Sequence, residues 1–322
     1  MKKFHALIFL FILTDAFCYA QINFAVKTGI IKTDVKEILW DKHTADAQII
    51  SLLDWNTYIA PIAAFETEYY FTHSFLFGIN GFYTLPFSYG QIEDYDFMNI
   101  ISTGSNERTH YSKHKNKLNN YINSNLYFAA SGKITEKLEL AALFSLRYAY
   151  YCFIAYDGFK QYGPKTGTTE DDNYSIYTPW TADIPKVPMQ GKIMSFEVQK
   201  LYFGIGTFLN YNPTDSLLVS LKLNLLPAFF CDALDVHYRR SNPYSYFDVA
   251  SDLAFESSLL LEYKLNKSSS LNAGLDIFTA AVQGGNIFQS KNKTDWIEYS
   301  DQTGIKESGI KFMFGYKYIY EK

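Results

Sequence analysis

The chain has 322 residues, 48% of them hydrophobic, 18% aromatic and only 19% charged, which excludes intrinsic disorder and leaves room for one large domain or two ordinary ones. A formal charge of -4 gives no electrostatic footprint for nucleic acid. The 27 Tyr and 27 Phe exceed what a soluble core needs, so aromatic residues must alternate with polar ones along strands.

Lys2 and Lys3 form a short basic region, Ala6 to Leu13 is apolar, and Cys18-Tyr19-Ala20 ends on the small residue a signal peptidase takes. Residues 1–20 therefore read as a signal peptide cleaved after Ala20, and residues 21–322 as the mature domain. A lipid anchor on Cys18 is disfavoured by the bulky Phe17 before it. Beyond the leader no run approaches the roughly 18 apolar residues of a spanning helix. Cys152 and Cys231 remain in the mature chain; they fit neither a zinc cluster nor a C-x-x-C motif, and whether they pair stays open. No metal and no cofactor is expected.

Along the mature chain the dominant signal is strict alternation. Leu138, Leu140, Ala142, Phe144 and Leu146 alternate with Glu139, Ser145 and Arg147, and Leu217 to Leu225 is apolar at every odd position. The same pattern recurs at Phe255, Leu259, Leu261 and Tyr263, and at Phe312, Phe314, Tyr316, Tyr318 and Tyr320. Short connections fall at Phe71 to Ser74, Ser131 to Glu136, Asn212 to Asp215 and Leu265 to Ser270. Long polar segments lie near residues 41–47, 93–115, 158–188, 235–247 and 287–303. Four short turns alternating with five long loops require ten strands with both termini on the short-turn side. That layout is an all-β, ten-stranded antiparallel transmembrane barrel of the outer membrane, with its long loops facing the cell exterior.

Several loop segments then resemble the omptin family of outer-membrane proteases. Ser51-Leu52-Leu53-Asp54-Trp55 is similar to the family's S-Q-L-D-W, and Gly78 to Leu85 to its G-x-x-G-W-T-T-L. Glu93 to Asn99 is similar to D-x-D-W-M-D, Asp232 to Tyr238 to D-x-D-E-H-Y, and Ser112-Lys113-His114 with Leu118-Asn119 to S-R-H followed by L-N. The resemblance implies that Asp94 and Asp96 hold an attacking water with a histidine, and that Asp235 and His237 form the His-Asp dyad. It implies an endopeptidase acting on peptides or proteins with basic residues, as a monomer in outer-membrane lipid.

The residues themselves permit that chemistry. On the strand entering the second outer loop the apolar residues Phe75, Phe77, Ile79, Tyr83, Leu85 and Phe87 are odd, so the even Asp94 and Asp96 should face the lumen. Two carboxylates so close share a proton or a nearby cation. Asp235 and His237, two apart, let a carboxylate hold an imidazole in one tautomer while the other nitrogen faces a water. One conflict arises: the odd residues of this strand face lipid up to Leu225, and Asp235 and His237 are odd too. A bulge near Pro227, or emergence from the bilayer, is needed to turn them inward.

Departures from the family pattern bear on specificity. Its W-T-D-x-S-x-H-P is represented by Arg108 to Lys115, with His110 in place of an acid and Glu107 three residues away as a substitute. Glu37, in Lys36-Glu37-Ile38-Leu39-Trp40, matches the family's glutamate that lines the pocket for a basic residue; its acidic partner is replaced by Ala233, with Asp232 adjacent. A preference for Lys or Arg is expected, without dibasic stringency. In the lipopolysaccharide-contact segment, Phe144, Leu146 and Tyr148 take the outward positions and Arg147 turns to the lumen. The competing reading is a catalytically silent barrel acting as an adhesin or binding protein through tyrosine-rich loops. A porin is disfavoured, because side chains fill a ten-stranded lumen.

Overall fold

The computed structural model describes residues 21–41, 48–170, 174–241, 243–249 and 253–321. The expected leader lies outside the described residues, as does most of the first long loop. In chain order the elements are β1 (Gln21–Asp41), β2 (Gln48–Tyr70), β3 (Phe75–Thr84), β4 (Tyr89–Asp96), α1 (Asn99–Thr103), β5 (His110–Thr135) and β6 (Leu138–Tyr162). There follow β7 (Lys165–Thr168), β8 (Ser175–Tyr177), β9 (Val187–Thr214), β10 (Leu217–His237), β11 (Tyr244–Val249), β12 (Leu253–Asn266), β13 (Ser269–Ser290) and β14 (Ile297–Glu321).

β1 pairs antiparallel with both β2 and β14, so the sheet closes on itself and leaves no edge. β3 and β4 together make one crossing between β2 and β5, and β11 and β12 together make one between β10 and β13. The result is the expected ring of ten antiparallel crossings, with both termini at the short-turn end. β7 and β8 form a separate ribbon in the long loop after β6.

Alternation is the physical reason for the closure. On β1 the outward Ile22, Phe24, Val26 and Ile30 are exposed while Ala25, Ile31 and Val35 are buried, and β14 sends Phe312, Phe314, Tyr316, Tyr318 and Tyr320 outward. These residues continue around the ring as an apolar belt that only lipid can cover. Above it the outward positions become polar, as at Lys32 and Lys36 on β1 and Lys113 and Lys115 on β5. β1 has 21 residues, against about 10 for a tilted membrane crossing, so the upper half of the wall stands clear of the bilayer. The long loops are shorter than their polarity implies: 93–115 reduces to 97–109, 235–247 to 238–243 and 287–303 to 291–296. Outside the bilayer a strand carries polar residues on its outer face too, and its composition becomes loop-like.

The conflict on β10 is resolved by a bulge. Leu221, Leu223 and Leu225 are exposed, Phe229 and Phe230 are both exposed, and from there Cys231, Ala233, Asp235 and His237 are buried. The pairing with β9 slips between Ala228 and Phe230, two residues after Pro227. That extra residue inverts the parity and turns Asp235 and His237 inward.

Side chains fill the middle of the lumen. Trp55 stacks between Phe153 and Phe196, with ring centroids 5.6 and 5.8 Å away. Beyond this layer, toward the short turns, the buried Lys200 Nζ lies 3.1 Å from Glu307 Oε2, and the hydroxyls of Tyr121 and Tyr151 donate to the same carboxylate at 3.3 and 3.2 Å. Arg147 Nη2 pairs with Glu256 at 2.6 Å, so Arg147 does face the lumen while Phe144, Leu146 and Tyr148 face out. Cys152 and Cys231 are both buried and are not joined in a disulfide.

Candidate active site

The long-loop end of the barrel gathers acids from three separate parts of the ring. Inward alternation on β1 presents Glu37, on β4 it presents Asp94 and Asp96, and beyond its bulge β10 presents Asp235 and His237. All five are buried, from 1% exposed at Glu37 to 9% at Asp96. From Ile30, the last apolar belt residue of β1, to Glu37 is roughly 20 Å of strand, which places the group above the bilayer. The Trp55, Phe153 and Phe196 layer forms its floor: Phe196 pairs in register with Asp235, and Trp55 with Val35 and Ile92, each one inward step below Glu37 and Asp94. An apolar floor with buried acids above it strengthens every charge interaction at the mouth.

His237 Nε2 lies 2.6 Å from Asp235 Oδ2. The His237 backbone N–H donates to the Pro243 carbonyl at 2.7 Å, and that of Tyr238 to Ile193 at 3.0 Å, so the strand end carrying the ring is held on both sides. Asp94 Oδ2 is 3.4 Å from Ser112 Oγ. Backbone and hydroxyl of Thr109 both donate to the Asp96 carbonyl, at 2.9 and 3.1 Å. Asn99 of α1 exchanges two hydrogen bonds with the backbone of Tyr177 in β8, tying the second and third long loops together. Glu37 Oε2, Asp94 Oδ1 and Asp235 Oδ1 are buried and have no hydrogen-bond partner among the described residues. In a native structure such groups call for an explanation, and recognition of a polar ligand is one.

Electrostatics link the three strands. Burial raises Glu37 well above the usual glutamate range, and the charges of Asp235 and Asp94 raise it further, with Arg240 and the Trp55 indole opposing. Burial also raises Asp94 well above its usual range, reinforced by Asp96 and Asp235 and opposed by Arg240 and Ser112. Arg240 is exposed at the mouth; crowding there disfavours its charge, but Asp94, Asp96 and Asp235 outweigh that and raise it. His110 and His114 are lowered mainly by burial; Asp96 opposes this for His110, whereas His237 adds to it for His114.

Because Glu37 and Asp94 hold protons more tightly folded than unfolded, their contribution to stability is complete below the unfolded carboxylate range and is lost as pH rises through the folded value. The melting temperature should therefore fall as pH rises above the ordinary glutamate value of 4.5. Glu37→Gln, which cannot ionise, should flatten that fall in thermal unfolding followed across pH. Parallel curves for the two proteins would clear Glu37 of the effect.

Two acids expected at the pocket are not among the buried group. Asp232 takes the outward position on β10 because Ala233 takes the inward one, and it accepts from Gln199 Nε2 at 3.5 Å. Glu107 is exposed on the 97–109 loop, where Ser105 Oγ donates to it at 3.4 Å. Of the proposed pocket acids, only Glu37 is buried. Conversely, Arg240 and the Ser112–His114 pair join the group, although the sequence reading gave them no role. The even parity of Ser112 and His114 on β5 was the available signal.

The family model of the omptin family matches residues 19–320. Among solved structures, the crystal structure of the outer membrane protease OmpT from Escherichia coli superposes with a TM-score of 0.79 at 16% identity, covering 93% of this chain and 97% of that one. The toluene transporter TbuX of Ralstonia pickettii also matches, at 8% identity over 92% of this chain and 89% of that one, with a TM-score of 0.32 that carries no argument. No curated protein matches the sequence. With a match along nearly its whole length and a closed ring of ten crossings, the chain belongs to the omptin family of outer-membrane proteases.

Proposed function

We propose that this protein is an endopeptidase whose long-loop end faces the cell exterior and which cleaves next to basic residues with a water activated at Asp94, Asp96, Asp235 and His237. The observation that carries the reading is the group of buried acids from β1, β4 and β10 whose charges act on one another, one of them paired with the His237 imidazole. With Nε2–H directed to Asp235 Oδ2, the Nδ1 nitrogen of His237 is the acceptor for a water proton. The water oxygen then attacks the peptide carbonyl, Asp235 stabilises the imidazolium, and His237 returns the proton to the departing amine. Asp94 and Asp96 position the water from the opposite side.

Glu37 supplies the pocket for the basic side chain before the scissile bond. A guanidinium entering that dry pocket meets a carboxylate with no hydrogen-bond partner at Oε2 among the described residues and converts it to the ionised form, which no neutral side chain can do. Ala233 and the outward Asp232 leave this acid to act alone, so discrimination against neutral residues is expected to be modest. Kinetics on matched Arg and Leu peptides test the assignment. Glu37→Gln should lower kcat/KM for the Arg peptide by about 10- to 100-fold, the size of a charge-assisted hydrogen bond, and leave the Leu peptide nearly unchanged. Equal losses on both peptides would remove Glu37 from the pocket.

A further inference from the structure

Asp96, His110 and Tyr162 form one row across β4, β5 and β6: Asp96 pairs in register with His110, and His110 with Tyr162. Directly paired residues of antiparallel strands point to the same side, so Tyr162 faces the cleft with Asp96, two strand spacings or roughly 10 Å along the sheet. Its ring packs on that of His110 with centroids 4.4 Å apart, and Tyr177 backs the His110 ring edge-on at 4.7 Å. The backbone beside it is fixed as well. The Gly163 N–H donates to the Thr109 carbonyl at 2.9 Å, and a Cβ on Gly163 would strike the Thr178 carbonyl. At 37% exposed, Tyr162 stays open to a bound peptide. Burial raises its phenol above the ordinary range, and Asp94 and Asp96 raise it further with Arg240 opposing, so the hydroxyl keeps its hydrogen.

Hydrolysis at this mouth needs such a donor. As water attacks, the C=O electron pair moves onto the carbonyl oxygen, and that charge forms beside buried acids that repel it. Asp94 and Asp96 hold the water and His237 takes its proton, which leaves the carbonyl oxygen to another group. His110 does not fit. Its Nδ1 is 2.9 Å from Thr109 Oγ1, whose one hydrogen goes to the Asp96 carbonyl at 3.1 Å, so Nδ1 donates to Thr109. Burial favours the neutral ring, with Asp96 opposing and Arg240 and Lys160 adding to it, and Nε2 then has no hydrogen to give. Lys160, in register with Ser112, lays its ammonium over the Tyr162 ring, 4.9 Å from the centroid. Arg240 is exposed on the turn after β10. Tyr162 is the donor that packing holds in place. We propose that the Tyr162 hydroxyl is a catalytic group that donates to the carbonyl oxygen of the scissile bond and holds it more strongly as the oxyanion forms. No proton leaves Tyr162: when the C–N bond breaks, the electron pair returns to the carbonyl and the amine takes its proton from His237.

This assignment rests on the reading of the mouth as a peptidase site, and the choice of variants separates the two. kcat and KM on a basic peptide would be measured for the wild type, Asp94→Asn, Tyr162→Phe and Lys160→Met, each checked for folded mobility on unheated gels. Inhibition by a phosphinate peptide of the same sequence would be measured alongside, its tetrahedral phosphorus and anionic oxygens standing in for the intermediate. Asp94→Asn should lose turnover; if it does not, the reading of the site fails, and the role of Tyr162 with it. Tyr162→Phe should lower kcat by about 10²- to 10³-fold, the loss from removing one such donor, with KM within about threefold of the wild type. The phosphinate should bind that variant more weakly by a similar factor, which a role in packing alone would not produce. Lys160→Met should keep kcat within about threefold. If Asp94→Asn is inactive but kcat of Tyr162→Phe falls by less than about tenfold, or only its KM changes, the assignment to Tyr162 alone is overturned. A larger loss of kcat in Lys160→Met than in Tyr162→Phe would place the donor on the ammonium and overturn it equally. Should Tyr162→Phe not fold, Tyr162→Leu takes its place, with the same losses expected and the same outcomes decisive.

Discussion

His237→Ala is expected to lower kcat on a basic peptide by roughly 10²- to 10⁴-fold, the range associated with losing a general acid–base group. The ring has one nitrogen committed to Asp235 at 2.6 Å, so its remaining nitrogen is the base available to a water among buried acids. The barrel should still fold, because the backbone bonds from His237 and Tyr238 to Pro243 and Ile193 do not depend on the side chain, although the buried Asp235 loses its partner and some stability with it. The measurement is kcat at saturating peptide, with folded mobility on unheated gels as the control for structure. Turnover near the wild-type rate in a folded variant would rule out His237 as the base and, with it, the mechanism given above.

The second large effect is on the lumen. Glu307→Leu would leave the fully buried Lys200 ammonium without its carboxylate, and the Tyr121 and Tyr151 hydroxyls without their acceptor. Breaking a buried pair from one side costs about 3–5 kcal/mol, since an uncompensated charge remains. The change should appear as a lower urea midpoint with an unchanged slope. Lys200→Met combined with Glu307→Leu should recover much of the loss, because the desolvation penalty of both ions is removed together. If the double variant were no more stable than Glu307→Leu alone, the two residues would not be acting as a pair.

Much of the wall can be read along the chain. Leu217 to Leu225 and Phe312 to Tyr320 show their outward face by parity alone, and the turns at Phe71–Ser74 and Leu265–Ser270 lie where the polar breaks are shortest. The parity of Asp94 and Asp96 carries them inward as expected, and the conflict at Asp235 calls for a bulge or for emergence from the bilayer, of which the bulge is found between Ala228 and Phe230. Loop ends are misjudged in a consistent direction. Polarity marks where the bilayer ends, whereas pairing continues to Asp96 on β4 and to His237 on β10, well above it. The same limit explains Asp232: adjacency to Ala233 suggests a substitute acid, but a one-residue step on a strand points to the opposite face.

What the sequence determined by itself is the all-β class, the number of crossings and the outward face of each membrane-crossing stretch, because period-two alternation is local and survives whatever the partner strand is. Only the tertiary structure decided which inward residues meet. Lys200 and Glu307 are 107 positions apart and become a buried pair through the closure of β1 on β14 and the stacking of side chains across the lumen. Glu37, Asp94 and Asp235 likewise come from strands that are not neighbours in the ring, and they influence one another only because their inward ends stop at the same height above the Trp55 layer. That height depends on the stagger of the closed sheet and on the β10 bulge, properties of the whole barrel that no single segment encodes.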